Sequence, residues 1–314
     1  MSQPARPFRF ALQAAWTDSR ADWVELARRA EAAGFAALLT PDHLDRCLSP
    51  LAPLVSAADA TSALRVGTLV LNNDFRHPAL LAREAATIDL LTGGRLELGL
   101  GAGHAWPEYE RVGLRFDPPG VRVSRLEESV GIVRRLLDGE TVDHEGAHYR
   151  LRGEQCQPRP LQARVPLIVG GAGRRVLALA AQKADAVGLT GLGRTRQDGV
   201  RHDLGAFTAA GVDEHVAWVR EQAGERFEHL ELQVLVQHVE VTDHAREKAD
   251  EFARRFPELS AEDVLETPYV LIGSADALVE KLLRHRERWG ISHYSVRPPA
   301  QDVLEPVIAR LTSR

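Results

Sequence analysis

The chain has 314 residues and a formal net charge of −5. Hydrophobic residues make up 44% and charged residues 26%, which is typical of a globular protein with a large core. The acidic balance excludes a general attraction for nucleic acid or acidic membranes, and no apolar stretch approaches the roughly 18 residues that span a bilayer. Without an apolar leader or a CxxC pair, the sequence indicates a cytoplasmic protein that acts on a small molecule.

Short apolar runs alternate with helical patterns along the chain, which is typical of a parallel sheet built from βα units. After the first run, Ser19 is expected to cap a helix that Gly34 ends. A later helix is expected to begin at His77 and Pro78. The strands read as apolar on both faces, as buried parallel strands do. The first four are predicted at residues 8–13, 36–40, 66–71 and 96–99.

This regularity is lost over residues 102–165. Within that stretch a helix is predicted to end at Gly139, and residues 141–149 are predicted to form a small hairpin that turns at Glu145 and Gly146. We interpret the whole stretch as an insertion within one domain.

The alternation then resumes, and Ser274 is expected to cap a helix that stops at Gly290. Residues 191–230 are polar and punctuated by glycine, so we expect a second insertion or a mobile loop there. The last four strands are predicted at residues 166–169, 185–190, 232–236 and 293–296.

Eight strands with intervening helices predict an α/β protein. We expect a single (β/α)8 TIM barrel that forms one domain over residues 1–314, with insertions after strands 4 and 6. In such barrels the active site lies at the carboxyl ends of the strands, which shortens the set of candidate residues.

Two candidate regions follow early strands. Asp42 and His43 come directly after the second strand, where a histidine can transfer a proton near neutral pH or simply orient a loop. The fourth strand runs into Gly99-Leu100-Gly101-Ala102-Gly103-His104, whose glycines would let the backbone approach a planar ring or a phosphate. The spacing is GxGxG and not GxGxxG, so the dinucleotide-binding interpretation is weak. His104 and Trp106 are candidates to line a pocket, although Trp106 is equally compatible with packing.

A third region follows the fifth strand. The run Gly170-Gly171-Ala172-Gly173-Arg174-Arg175 opens a helix, and free N–H groups at a helix start form a phosphate site. The alternative is a glycine-rich turn with solvated arginines. The sequence contains no HExxH, GxSxG or Walker A motif and no cluster with metal-ligand spacing, so no metal is expected.

A family resemblance runs through these regions. The run from Pro78 to Gly103, PALLAREAATIDLLTGGRLELGLGAG, resembles the characteristic sequence of the luciferase-like monooxygenase superfamily. So do the helix Leu26–Phe35, the Pro41-Asp42-His43 triplet and Pro166–Gly173. The likeness covers almost the whole chain, and within the superfamily the chain most resembles the coenzyme F420-dependent branch of small oxidoreductases.

The resemblance implies roles for individual positions. Asp42 and His43 would contact a deazaflavin ring, with His43 a candidate proton donor. Leu69 and Val70 would be joined by a cis peptide bond that supports the ring. The other positions matched to cofactor contacts are Gly101, Gly103, Gly170, Gly171, Ala172, Gly173, Arg174, Thr190 and Gly191.

One departure from the family pattern affects the substrate. Sugar-phosphate dehydrogenases of this family carry a catalytic Glu after the GxGxG run, where this chain has His104. This argues against a glucose-6-phosphate-type substrate, and it leaves the catalytic acid or base open between His43 and His104.

The activity implied by the resemblance is hydride transfer. Coenzyme F420 would exchange a hydride at C5 with an activated C=C, C=O or C=N bond, or with an alcohol in the reverse direction, while a histidine handles the proton. The alternative is an FMN-dependent monooxygenase that uses reduced flavin and oxygen on the same barrel. An alternative of another class is a non-catalytic ligand-binding barrel. Dimers are common in the superfamily, so a homodimer is a further expectation.

Overall fold

Eight parallel barrel strands close into a ring in the computed structural model, which describes residues 6–193 and 202–312. The strands of the described residues are β1 (Arg9–Gln13), β2 (Ala37–Thr40), β3 (Arg65–Thr68), β4 (Leu71–Asn72), β5 (Leu96–Gly101), β6 (Val142–Glu145), β7 (Arg150–Glu154), β8 (Leu167–Gly170), β9 (Ala186–Leu189), β10 (Glu231–Leu235), β11 (His238–Val241), β12 (Val270–Gly273) and β13 (Ile291–Val296). The helices are α1 (Arg20–Ala32), α2 (Ala52–Asp59), α3 (Pro78–Leu91), α4 (Trp106–Arg111), α5 (Pro119–Leu137), α6 (Arg174–Lys183), α7 (Ala209–Ala223), α8 (Ala245–Ala253), α9 (Ala261–Glu266), α10 (Ala275–Trp289) and α11 (Ala300–Thr312).

Hydrogen bonds join the barrel strands in the order β3, β2, β1, β13, β10, β9, β8 and β5, and β5 pairs again with β3 to close the ring. The short strand β4 also pairs with β5, so β3 and β4 are two parts of one barrel strand that is interrupted at Leu69 and Val70. The predicted α/β class and (β/α)8 barrel are therefore confirmed. The first and last strands are neighbours, with Phe10 in register with Tyr294.

The barrel interior is charged at the amino end of the strands. Arg9 of β1 contacts Glu97 of β5 although β2 and β3 lie between these strands, so the two side chains meet across the interior. Glu231 of β10 accepts from Arg9 (2.8 Å) and contacts His293 of β13 (3.0 Å). The expectation that the strands are apolar on both faces is thus wrong for the inward face, where charged groups are tolerated because they are paired.

The helices α1 and α10 begin and end at the residues expected to cap them. Ser19 accepts a backbone hydrogen bond (3.1 Å) at the start of α1, and Ser274 accepts one (3.3 Å) at the start of α10. Gly34 and Gly290 follow these helices with φ of +82° and +79°, a backbone conformation that glycine adopts without steric cost. Both predicted helices are confirmed together with their ends.

The stretch after β5 contains α4, α5 and the antiparallel pair β6 and β7. Glu145 is in register with Arg150, and the Gly146 N–H donates to the Tyr149 carbonyl (3.0 Å), which confirms the predicted hairpin. The carboxylate of Glu128 on α5 accepts backbone N–H groups of the hairpin turn and so ties it to the barrel.

The predicted second insertion, residues 191–230, contains the helix α7. Its buried positions Val212, Val216 and Val219 have the i, i+4, i+7 spacing of an amphipathic helix, a signal that was overlooked because the whole segment was interpreted as polar and irregular. Residues 194–201 lie outside the described residues. A further excursion, which was not predicted, follows β10: β11 and β12 form a parallel pair apart from the barrel sheet, and α8 and α9 pack beside it.

Candidate active site

The carboxyl ends of β2 and β5 bring together a histidine and a buried carboxylate. His43 Nδ1 lies 2.7 Å from Glu108 Oε1, and the Leu44 N–H donates to Glu108 Oε2 (3.3 Å). The Glu108 side chain is 6% exposed and that of His43 is 38% exposed. A buried carboxylate beside Nδ1 keeps a hydrogen on that atom, so Nε2, on the opposite side of the ring, is the atom left to exchange a proton.

Two further histidines stand beside this pair. The ring centroid of His104 lies 5.5 Å from that of His43 and 5.4 Å from that of His202. Loss of hydration, followed by repulsion from His43, His202 and Arg122, lowers the pKa of His104 to about 4. The residue is still exposed on one side, and water there limits the size of the shift without changing its direction. His104 is therefore neutral at neutral pH.

The Asp42 carboxylate is bound by other residues of the protein. Its carboxylate accepts the Asn72 N–H (2.9 Å) and pairs with Arg76 Nη1 (2.5 Å), and its side chain is 3% exposed. These contacts join the end of β2 to β4 and leave the carboxylate well buried. The expected contact between Asp42 and a cofactor ring stays a prediction.

The peptide bond between Leu69 and Val70 is cis, as the resemblance implied. The Leu69 N–H donates to the Thr40 carbonyl (2.9 Å), and the Leu69 carbonyl accepts from Gln13 Nε2 (2.5 Å). The peptide is thus anchored to both β2 and β1. Sequence reasoning missed Gln13, although its place at the carboxyl end of β1 marks it as a candidate.

The candidate glycines of β5 and β8 have packing reasons as well as a functional interpretation. A Cβ on Gly101 would lie 2.7 Å from Val70 Cγ2, and one on Gly170 would lie 3.1 Å from Val70 Cγ1. A Cβ on Gly103, where φ is +73°, would lie 2.6 Å from Asn72 Oδ1 and would strike the Tyr109 hydroxyl. These glycines make room for Val70 and for a buried polar contact, and their direct contact with a cofactor stays a prediction.

The run after β8 forms the uncapped start of α6. The first helical hydrogen bond runs from Leu177 N–H to the Gly173 carbonyl (3.0 Å), so the N–H groups of the first turn have no partner within the helix. A Cβ on Gly173 would meet nothing within 4 Å. The arrangement fits a phosphate bound by backbone donors.

The two arginines of this turn already have protein partners. The Arg174 guanidinium lies 4.0 Å from the centre of the Trp218 ring and 3.6 Å from Glu214 Oε1. Arg175 Nη2 pairs with Glu127 Oε2 (2.5 Å). The backbone therefore supplies the free donors, and a contact from Arg174 to a phosphate stays a prediction.

The remaining candidates lie around the same end of the barrel. Thr190 and Gly191 follow β9, with Thr190 Oγ1 donating to the Leu192 carbonyl (3.4 Å) and Gly191 at a φ of +67° against the Tyr269 ring. Trp106 begins α4 and is 44% exposed, so its ring is outside the core. Their contacts with cofactor or substrate stay predictions.

Besides Gln13, sequence reasoning missed two further residues of this site, Glu108 and His202. Glu108 lies four positions after His104 in a stretch treated as an irregular insertion, and only recognition of α4 would have placed it opposite His43. His202 lies in the polar segment before α7, where the sequence pattern is weakest.

Within the described ranges, no group of three or more His, Cys, Asp or Glu residues could hold a metal ion. No helix found there is long and apolar enough to cross a membrane.

Comparisons with known sequences identify relatives of this chain. An F420-dependent glucose-6-phosphate dehydrogenase from Amycolatopsis mediterranei (strain U-32) is 33% identical over 172 residues, which cover 52% of this chain and 51% of the relative. A 5,10-methylenetetrahydromethanopterin reductase from Archaeoglobus fulgidus is 32% identical over 158 residues, which cover 50% of this chain and 46% of the relative. The chain thus spans about half the length of the curated relatives it matches.

A comparison of folds extends over the whole chain. The structure of an F420-dependent secondary alcohol dehydrogenase, solved in complex with an F420-acetone adduct, matches with a TM-score of 0.77 at 19% identity. The match covers 98% of this chain and 99% of that one, and at this identity it establishes the fold. The family model for luciferase-like monooxygenases matches residues 6–293, from before β1 into β13. The chain therefore belongs to the luciferase-like monooxygenase family.

Proposed function

We propose that the protein is a coenzyme F420-dependent oxidoreductase that transfers a hydride between the deazaflavin C5 and a small organic substrate. The observation that carries the proposal is the His43–Glu108 pair at the carboxyl end of the barrel, in which Nδ1 lies 2.7 Å from Oε1 and Nε2 has no hydrogen-bond partner among the described residues. The 33% identity to an F420-dependent relative over half the chain supports this choice of cofactor.

The residues present fit such a cofactor. The N–H groups at the start of α6 that have no partner within the helix, together with Gly170, Gly171, Ala172, Gly173 and Arg174, would hold its phosphate. Leu69 and Val70 would support the ring, and Thr190 and Gly191 would contact it after β9. When bound, the deazaflavin supplies the hydride chemistry at C5.

The protein's own part is to orient the substrate and to handle a proton. Glu108 accepts from His43 Nδ1 and stabilises the ring when it is protonated, so His43 Nε2 is the proton donor in a reduction and the acceptor in an oxidation. Loss of hydration and the basic groups around it lower the pKa of His104, so it is neutral and can donate or accept a hydrogen bond without adding charge. We therefore assign the proton transfer to His43 and substrate orientation to His104 and Trp106.

The substrate would carry an activated C=C, C=O or C=N bond, or an alcohol in the reverse direction. His104 stands where the sugar-phosphate dehydrogenases carry a Glu, which argues against a glucose-6-phosphate-type substrate.

We also propose a cytoplasmic location and a homodimer. Both cysteines are free thiols, which is compatible with a reducing compartment.

The test is a titration of the purified protein with coenzyme F420 and with FMN, followed by quenching of cofactor fluorescence. Micromolar binding of F420 with much weaker binding of FMN is expected. The reverse preference would favour an FMN-dependent monooxygenase, and binding of neither would favour a non-catalytic ligand-binding barrel. Turnover of a His43→Asn variant with F420 bound checks the mechanism, since unchanged turnover would remove His43 from it.

A further inference from the structure

An arginine for which the described residues provide no carboxylate partner lies at the carboxyl end of the barrel. Arg297 follows β13 directly, and its Nε donates to Gln13 Oε1 (3.2 Å) at the end of β1. Its Nη1 donates to Gln237 Oε1 (3.0 Å), two residues beyond the end of β10. Because β10, β13 and β1 are neighbours in the barrel, the guanidinium is held from both sides.

The charge of Arg297 is not neutralised by the described part of the chain. Burial alone lowers its pKa, and no neighbouring charge contributes. A guanidinium has five N–H donors in a planar fork, and the two amide oxygens occupy two of them. The residue is nevertheless exposed, so the other donors are accessible to a ligand. A partly desolvated guanidinium with free donors is suited to a planar carboxylate.

Arg297 is also connected to the candidate active site. The amide of Gln13 that accepts from Arg297 donates from its nitrogen to the Leu69 carbonyl (2.5 Å). Arg297 is therefore two hydrogen bonds from the Leu69–Val70 peptide. The start of α6 follows β8, which is three strands away around the barrel from β13. An anion at Arg297 is thus on a different side of the mouth from a phosphate at α6.

We propose that Arg297, oriented by Gln13 and Gln237, is a specificity-determining residue that binds a carboxylate of the substrate. The substrate class is then a small organic acid that also carries the reducible bond or the alcohol. This assignment rests on the proposed function for its redox role, whereas anion binding at Arg297 rests on the geometry alone.

The test measures binding and does not depend on turnover. Benzoate and succinate are compared with their neutral amides, benzamide and succinamide, by calorimetric titration of the protein alone and saturated with coenzyme F420. The carboxylates are expected to bind at least about tenfold more tightly than the amides, because a hydrogen bond between two charged groups is stronger than one to a neutral amide. The Arg297→Met variant should lose this preference, and Arg297→Lys should keep part of it, because it retains the charge without the fork.

Two other arginine variants are controls. Arg152→Met, at an exposed position of β7, should leave benzoate binding unchanged. Arg174→Met should weaken F420 binding and leave benzoate binding unchanged. Circular dichroism and Tm establish that each variant folds. If Arg297→Met does not fold, Gln237→Leu replaces it, since loss of one orienting contact should weaken benzoate binding several-fold.

Several outcomes would overturn the proposal: equal binding of acids and amides, no binding of either, or unchanged benzoate binding in the variant that folds. Displacement of benzoate by F420, with Arg297→Met weakening F420 equally, would assign the anion to the cofactor and overturn the substrate assignment. Absence of F420 binding with intact, Arg297-dependent benzoate binding would overturn the proposed function and leave the anion site in place.

Discussion

His43 and His104 are both candidates for the catalytic acid or base. A single carboxylate, that of Glu108, distinguishes their roles. His43 has Glu108 beside its Nδ1, which stabilises the protonated ring, whereas His104 is surrounded by other basic groups that oppose its protonation. Both are histidines three residues beyond the carboxyl end of a barrel strand, so residue type and place in the barrel do not distinguish them. The difference arises from α4, which turns Glu108 toward the end of β2.

We predict that Glu108→Gln lowers kcat about 100-fold, because a neutral amide retains a hydrogen bond to His43 but does not stabilise the imidazolium. Binding of F420 should be unchanged. Steady-state kinetics over pH 5–9 and a fluorescence titration measure the two effects. Glu110→Gln, at an exposed position of the same helix, is the matched control. A kcat that matches wild type at every pH would exclude this role for Glu108.

We predict that the buried side chain of His285, which lies on α10, makes the folded protein less stable in acid. Its side chain is buried against the Glu266 carbonyl (3.1 Å), and desolvation, assisted by Lys281, lowers its pKa to about 3. The unfolded state binds a proton near pH 6.5 and the folded state does not, so stability is lost as pH falls below 6.5. Between pH 7 and pH 5 the loss is about 2 kcal/mol.

Urea unfolding at pH 7 and pH 5 measures this contribution. The His285→Gln variant, which has no titrating group at that position, should lose about 2 kcal/mol less than wild type over the same interval. Equal losses for the two proteins would show that His285 does not titrate differently in the folded and unfolded states.

At the scale of elements, the loop between β5 and α4 depends on one glycine conformation. Gly103 has a φ of +73°, and an added Cβ would meet both Asn72 and the Tyr109 hydroxyl. Gly113, just beyond α4, has a φ of +70° with nothing within 4 Å of an added Cβ. Both positions have a left-handed backbone that would strain any residue with a Cβ. They differ in the space that an added Cβ would find.

Alanine at both positions separates these two effects. Gly113→Ala should cost about 1 kcal/mol, which is the price of the left-handed conformation alone. Gly103→Ala should cost about 3 kcal/mol, because the backbone strain is joined by a steric conflict in a packed region. Denaturant unfolding measures both. Similar losses for the two variants would mean that the loop relaxes and that the contact with Tyr109 is not restrictive.

Elements with a strong hydrophobic periodicity and local capping residues were predictable from the sequence. Elements that depend on long-range contacts were not. The caps at Ser19 and Ser274 act locally, so α1 and α10 were placed correctly. The pair β11 and β12 was missed because its partners lie about thirty residues apart. The strand-end rule identified His43 and applies equally to Gln13, which was overlooked, whereas Glu108 acts through a long-range contact that no local pattern encodes.

At the scale of the whole molecule, the charged interior joins strands that are not neighbours. Arg9 reaches Glu97 and Glu231, and Arg65 Nε also pairs with Glu97 (2.5 Å). Burial raises the pKa of Glu231, but His293 and Arg9 outweigh burial and bring the pKa to about 2. The contribution of Glu231 to stability is therefore present above pH 4.5 and lost as the pH falls toward 2.

We predict that Arg9→Met destabilises the fold by about 3 kcal/mol at pH 7, because it removes the cation that two buried carboxylates share and leaves Glu97 with Arg65 and Glu231 with His293 alone. The deficit should shrink at acid pH as Glu231 is protonated. Arg29→Met removes a cation from an exposed pair with Asp302 and should cause no measurable change. An Arg9→Met variant as stable as this control would exclude a structural role for the charged interior.

The pairing of β1 with β13 has a consequence for synthesis. Translation releases a chain from its amino end at about 5–20 residues per second, so β1 leaves the ribosome long before its partner. During that interval β1, and later β10 once it has emerged, present unpaired strand edges, which invite pairing with other chains. The ring cannot close, and Arg297 cannot reach Gln13, until β13 has emerged. A nascent chain stalled before Ile291 would therefore depend on chaperones to keep it from aggregating.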